Sequence, residues 1–112
     1  MGAIDRLMED SVDIHVHFAP DPKVERRSGA VELAQASKDM GMRGLVLKSH
    51  EYPTQPVAYT VSQMVHGISV LGGIALDEEV GGLNAAAVEA SAKMGARVVW
   101  MPTFSARTDR RR

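Results

Sequence analysis

The chain has no cysteine among its 112 residues. Disulfide bonds and thiolate metal ligands are therefore excluded, and any metal has to be held by histidine, aspartate, glutamate or a backbone oxygen. Aromatic residues make up only 4% of the sequence, and there are 4 histidines. With so few groups available, the positions of the histidines carry much of the chemical information.

Long hydrophobic runs and an excess of charge are also missing. The run "ISVLGGIAL" is too short to span a bilayer, and no basic segment followed by an apolar one suggests a signal peptide. The 13 basic and 14 acidic residues give a net charge of −1, which argues against binding to nucleic acid or to an anionic membrane. We expect a soluble cytoplasmic protein that acts on a small-molecule substrate.

Short apolar runs alternate with amphipathic stretches. A helix over residues 4–9 precedes strand-like runs at residues 12–18, "RGLVLKSH", "ISVLGGIAL" and "RVVWMPT". Helical stretches between these runs end near Gly41, Gly67 and Gly95, and Asn84 is a good N-cap. The alternation predicts an α/β fold with a parallel sheet. With about four βα-type units, it corresponds to a (βα)4 half of a TIM-type barrel, over residues 1–105, followed by a basic tail over residues 106–112.

The first strand contains two histidines one residue apart. Alternation places Asp13, His15 and His17 on one side of the strand and Val12, Ile14 and Val16 on the other, where they would pack beneath helices. Two imidazoles at i and i+2 can bind one metal ion, and an aspartate below them can orient a ring. An isolated His-x-His motif is more often a half-buried strand with hydrogen-bonded histidines. The preceding aspartate and the following proline-containing loop favour a metal site.

Four blocks in order carry a family resemblance: "DIHVHFAPD", "LVLKSHEYPT", "LGGIALDEEVGGLNAAAVEA" and "GARVVWMPT". They resemble the first half of the amidohydrolase-like, metal-dependent TIM-barrel hydrolases, in a branch with a K-S-H motif on strand two and W-M-P-T on strand four. The resemblance covers residues 13–103. It implies that His15 and His17 are metal ligands, since relatives use the His-x-His motif of strand one in that way.

The sequence also departs from that family. Full-length relatives have eight strands, with further histidine ligands on strands five and six and a catalytic aspartate on strand eight, and this chain lacks those strands. Many relatives place a metal-bridging carboxylated lysine or a glutamate on strand four, where this sequence reads "VVWMPT". The ending "SARTDRRR" does not resemble a continuing barrel. A natural short protein and a truncated gene product both remain open.

Further candidates follow the second and third strands. Lys48 and His50 share a strand face and should approach the histidine pair. His50 is a third metal ligand or a simple loop histidine. Lys48 neutralises an anionic substrate or a developing oxyanion, or forms a salt bridge with Asp13. Glu51 is a weaker ligand candidate.

An acidic loop follows the third strand at the same edge of the sheet. Within it, Asp77 is our candidate for a general base or a ligand, and a merely solvated loop is the alternative. Asp13 is a second candidate for the base.

A half barrel with two open edges is a poor monomer. Two copies could close an eight-stranded barrel, and the His15, His17 and His50 of the second copy would then stand where relatives keep their additional histidines. We therefore expect a homodimer.

The expected function is a metal-dependent hydrolase with Zn²⁺ or Mn²⁺ that activates water against a phosphoester, carboxylic ester or amide bond. The alternative is a catalytically silent metal-binding or assembly module, or a fragment of a larger hydrolase.

Overall fold

The computed structural model describes residues 2–103. The predicted basic tail at residues 106–112 lies outside the described residues, as do the last two residues of the predicted domain. The helices are α1 (Ala3–Met8), α2 (Ala30–Asp39), α3 (Gln55–Met64) and α4 (Ala85–Lys93). The strands are β1 (Val12–Val16), β2 (Gly44–Leu47), β3 (Ser69–Leu71), β4 (Gly73–Ala75) and β5 (Val98–Trp100), and a 3-10 turn (Glu78–Val80) follows β4.

All of these strands pair in parallel. One sheet has the order β1-β2-β3, and a second sheet joins β4 to β5. The predicted α/β class with parallel strands is therefore confirmed. Across residues 2–103 the strands do not close into a barrel.

The residues at the helix ends adopt the conformations that the sequence predicts. Gly41 and Gly95 lie just past the ends of α2 and α4 with positive φ angles of 80° and 106°, a conformation that costs other residues energy. The Asn84 side chain accepts a hydrogen bond of 3.1 Å from the backbone N–H of Ala87 and caps α4. The predicted helix ends at Gly41 and Gly95 and this N-cap are confirmed, whereas α3 ends at Met64, before the predicted Gly67.

The predicted third strand is interrupted at Gly72, so that β3 pairs with β2 while β4 pairs with β5. The start of α3 fills the gap. The Gly72 N–H donates to Oε1 of Gln55 at 3.0 Å, and Oγ1 of Thr54 accepts from the Gly73 N–H at 2.9 Å and lies 2.6 Å from the Leu47 carbonyl oxygen. The side chains of Gln55 and Thr54 thus accept hydrogen bonds that a neighbouring strand would otherwise accept. These contacts are tertiary, so the apolar run "ISVLGGIAL" does not reveal them.

The core lies between β2 and the two helices α2 and α3. Leu45 and Leu47 point towards these helices and are fully buried, together with Ala34 and Ala58. The small alanine side chains let the helices approach the strand closely. By alternation, Lys48 belongs to the opposite face of β2.

Strand β1 is irregular. Asp13 pairs with Leu45 and Val16 pairs with Leu47, so β1 contains one extra residue between these two positions. Such a bulge breaks the alternation of side chains. The prediction that Val12 and Ile14 pack beneath helices is wrong, because these side chains are 46% and 64% exposed at the open edge of the sheet. Val16 does pack against the core.

No helix within the described residues is long and apolar enough to cross a membrane.

Candidate functional site

The two histidines of "DIHVH" converge at the carboxyl end of β1. Nε2 of His15 and Nε2 of His17 are 2.9 Å apart, and the ring centroids are separated by 4.9 Å. Two nitrogen ligands of one tetrahedral Zn²⁺ lie about 3.3 Å apart, since each metal–nitrogen bond is about 2.0–2.1 Å long. A small opening of the pair would therefore admit a metal ion between the two Nε2 atoms.

The protonation state of the pair also suits a metal. Burial lowers the pKa of His17 to about 4, with further contributions from the positive charge of Arg26 and from neighbouring groups. Burial and the nearby Lys48 lower the pKa of His15 as well. Both imidazoles are thus neutral at pH 7, which is the form that binds metal. Nδ1 of His17 is buried without a hydrogen-bond partner among the described residues.

Within residues 2–103 no group of three or more His, Asp or Glu side chains is arranged to hold a metal ion. His50, the predicted third ligand, stacks on His17 with ring centroids 5.3 Å apart. Its role as a ligand stays a prediction. Asp13 is exposed, and its Oδ1 accepts a hydrogen bond from the backbone N–H of His15 at 3.0 Å rather than from a ring nitrogen.

A polar cluster around two buried side chains, His50 and Asp77, lies next to His17. Nδ1 of His50 is 2.8 Å from Oδ2 of Asp77, and Thr103 contacts both residues: its N–H donates to Oδ1 of Asp77 at 2.9 Å, and its Oγ1 lies 3.0 Å from Nδ1 of His50. Asp77 is completely buried and His50 is 6% exposed. A proton on Nδ1 of His50 satisfies the carboxylate and leaves the lone pair of the ring on Nε2. Asp77 therefore holds His50 in one orientation and one tautomer.

Lys48 extends from the end of β2 over the ring of Trp100, with Nζ 5.0 Å from the ring centroid. Burial lowers the pKa of Lys48, and the charge of Asp77 acts in the opposite direction. Among the described residues no ion pair joins Lys48 to Asp13, so the alternative of a salt bridge between them is not supported. The ring of His15 is 6.3 Å from that of Trp100.

The loops at this edge are tied together by Lys23, from the loop after β1. Nζ of Lys23 is 3.3 Å from Oε2 of Glu51 and forms a short ion pair with Glu79. The hydrogen bond from Lys23 lowers the pKa of the Glu79 carboxyl group. Glu51 and Glu79 thus serve as anchors for the loop, and the acidic stretch is not merely solvated.

Sequence reasoning missed two contributors, Thr103 and the ring of Trp100. Their positions in the sequence could have indicated both residues, because Trp100 ends β5 and Thr103 follows it. The carboxyl ends of neighbouring parallel strands meet at one edge of a sheet.

The chain belongs to DUF6282, a family of unknown function whose model matches residues 10–112. No curated protein and no solved structure is significantly similar to the chain.

Proposed function

We propose that this DUF6282 member is a metal-dependent hydrolase whose metal, Zn²⁺ or Mn²⁺, is held by His15 and His17. The observation that carries the proposal is the convergence of two neutral imidazoles, with Nε2 atoms 2.9 Å apart, at the carboxyl end of a parallel strand. Ligands bind preferentially at that end in α/β proteins. The resemblance to amidohydrolase-like enzymes points in the same direction.

When bound, a divalent metal supplies a water of lowered pKa and polarises the substrate oxygen. The chain's own groups account for the rest of the proposed chemistry. His50 accepts or returns a proton at Nε2, because its Nδ1 is engaged by Asp77. Asp77 is fully buried, so it acts through His50 as a positioning residue. Lys48 offsets negative charge that develops on the substrate. The bond attacked is a phosphoester, a carboxylic ester or an amide.

The two donors of one chain fall short of the three protein ligands usual for a catalytic zinc. We infer that a second copy completes the site by closing an eight-stranded barrel. Both outer strands support this, because β1 exposes Val12 (46%) and Ile14 (64%), and β5 exposes Val99 (50%). Each of these strands pairs on one side only within the described residues. In a two-fold dimer, β1 of one copy would pair with β5 of the other.

The second candidate is a catalytically silent metal-binding or assembly module. The absence of a three-ligand group among residues 2–103 favours it. A metal-binding module would share metal binding with the hydrolase and differ from it in turnover.

Hydrolysis of a panel of nitrophenyl phosphates, nitrophenyl esters and anilides separates the two candidates. The enzyme hypothesis predicts turnover that disappears after chelation, returns with one metal, and is lost in the His15→Ala/His17→Ala variant. His66→Ala is the matched control, because His66 is exposed. Metal retention without turnover on any of the three bond types would favour the module.

A further inference from the structure

The Lys48 side chain is largely buried, and among the described residues no carboxylate forms an ion pair with it. Lys48 is only 5% exposed, although it follows β2 at the edge of the sheet where the histidines lie. Lys23 and Arg26 both pair with carboxylates, whereas no such ion pair is found for Lys48 within residues 2–103. Nearly complete burial of an ammonium group is costly unless an opposite charge compensates it.

The nearby groups compensate this charge only in part. Both carboxylate oxygens of Asp77 already accept hydrogen bonds from other groups, His50 and the Thr103 N–H. The face of Trp100 stabilises the ammonium group from one side by a cation–π contact.

Lys48 lies close to the proposed metal ligand His15, because both side chains are near the Trp100 ring. Nζ of Lys48 lies 5.0 Å from the centroid of the Trp100 ring, and the His15 ring is 6.3 Å from the same ring. An anion bound to Lys48 would therefore lie next to the histidine pair.

We propose that Lys48, backed by Trp100, binds a permanently anionic oxygen group of the substrate, a carboxylate or a phosphate, so that the natural substrates are anions. That the anion belongs to a substrate rests on the proposed hydrolase function. Binding of the anion itself requires no metal, which separates the two hypotheses experimentally.

Trp100 provides the readout, because it is the single tryptophan of the chain and lies against Lys48. The purified protein is treated with chelator, freed of it by gel filtration, and titrated with inorganic phosphate and with acetate at constant ionic strength. We expect a saturable change in tryptophan fluorescence, confirmed by calorimetry. Tighter binding of phosphate indicates phosphorylated substrates, and tighter binding of acetate indicates carboxylates.

Two variants and one control define the outcome. Lys48→Met should weaken anion binding at least tenfold, while Lys48→Arg keeps the charge and should retain most of it. Lys93→Met is the control, since Lys93 pairs with Glu89 on the exposed face of α4. Circular dichroism shows whether each variant is folded. Lack of saturable binding in the parent, or equal affinity in folded Lys48→Met, would overturn the anion site while leaving the metal hypothesis intact. Anion binding by a protein that never retains metal would leave the anion site standing and remove the hydrolase.

Discussion

Nδ1 of His50 lies 2.8 Å from Oδ2 of Asp77, and the two side chains come from loops after different strands. This contact joins the two sheets at their carboxyl edge, because His50 follows β2 and Asp77 follows β4. Thr103, after β5, adds a third strand to the cluster. The cluster therefore has a structural role in addition to the positioning role proposed for it.

Replacing Asp77 tests that structural role. Asp77→Ala removes the fully buried carboxylate that joins the His50 ring to the Thr103 N–H. A hydrogen bond to a charged group contributes about 1.5–3 kcal/mol. We expect a clearly lower midpoint of urea unfolding. Asp13→Asn is the control, because Asp13 is exposed and should change stability by less than about 0.5 kcal/mol. Equal midpoints for the parent and Asp77→Ala would show that the cluster does not stabilise the fold.

The interruption of the third strand predicts a strong effect at Gly72. A Cβ atom there would lie 2.4 Å from Cα of Gln55 and 2.6 Å from its backbone nitrogen. Gly72→Ala should therefore cost about 3 kcal/mol or more by forcing α3 away from the sheet. Gly29→Ala is the comparison, because the new Cβ would meet only Oε1 of Glu32 at 4.0 Å. A tolerated Gly72→Ala in urea unfolding would show that α3 does not fill the gap as described.

The pKa of His17 predicts a dependence of stability on pH in the metal-free protein. The pKa of His17 is about 4 in the folded state, below the ordinary histidine value of 6.5. Between these values the unfolded chain binds a proton that the folded chain does not, so the free energy of unfolding falls as the pH drops from about 6.5 to about 4. The His17→Asn variant should show a smaller fall than the parent. His66→Asn changes an exposed histidine and is the comparison variant. A fall in His17→Asn as large as that in the parent would contradict a neutral, partly buried His17 imidazole.

The open edge of β5 predicts a variant that stays monomeric. Light scattering should give the parent twice the chain mass of 12.1 kDa. Val99→Glu places a charge in the middle of an edge strand and should yield a monomer with unchanged circular dichroism. Tyr59→Glu is the control, because Tyr59 is 62% exposed on α3, away from both edges. A monomeric parent would exclude barrel closure by two copies.

Local signals predicted the parts of the fold that depend on neighbouring residues. The helix-capping preferences of glycine and asparagine predict the roles of Gly95 and Asn84. The strand pattern predicts that His15 and His17 lie at a strand end. The break at Gly72 could not be predicted, since it depends on Gln55, which is 17 residues away.

The same limit applies to the site. Alternation placed Asp13 beside the histidine rings, but the extra residue in β1 changes its direction. Thr103 acquires its role only through contacts with residues 26 and 53 positions away. The spacing of residues within one strand carries no information about contacts between residues so far apart in the sequence.

Metal content per chain tests the central claim most directly. The parent, His15→Ala/His17→Ala and His66→Ala are purified in parallel, equilibrated with Zn²⁺ or Mn²⁺, dialysed, and analysed by inductively coupled plasma mass spectrometry. We predict retained metal in the parent and in His66→Ala, and its loss in the double variant. Equal, negligible metal in all three would mean that the histidine pair is only a hydrogen-bonded pair at a strand end, and the hydrolase proposal would fall with it.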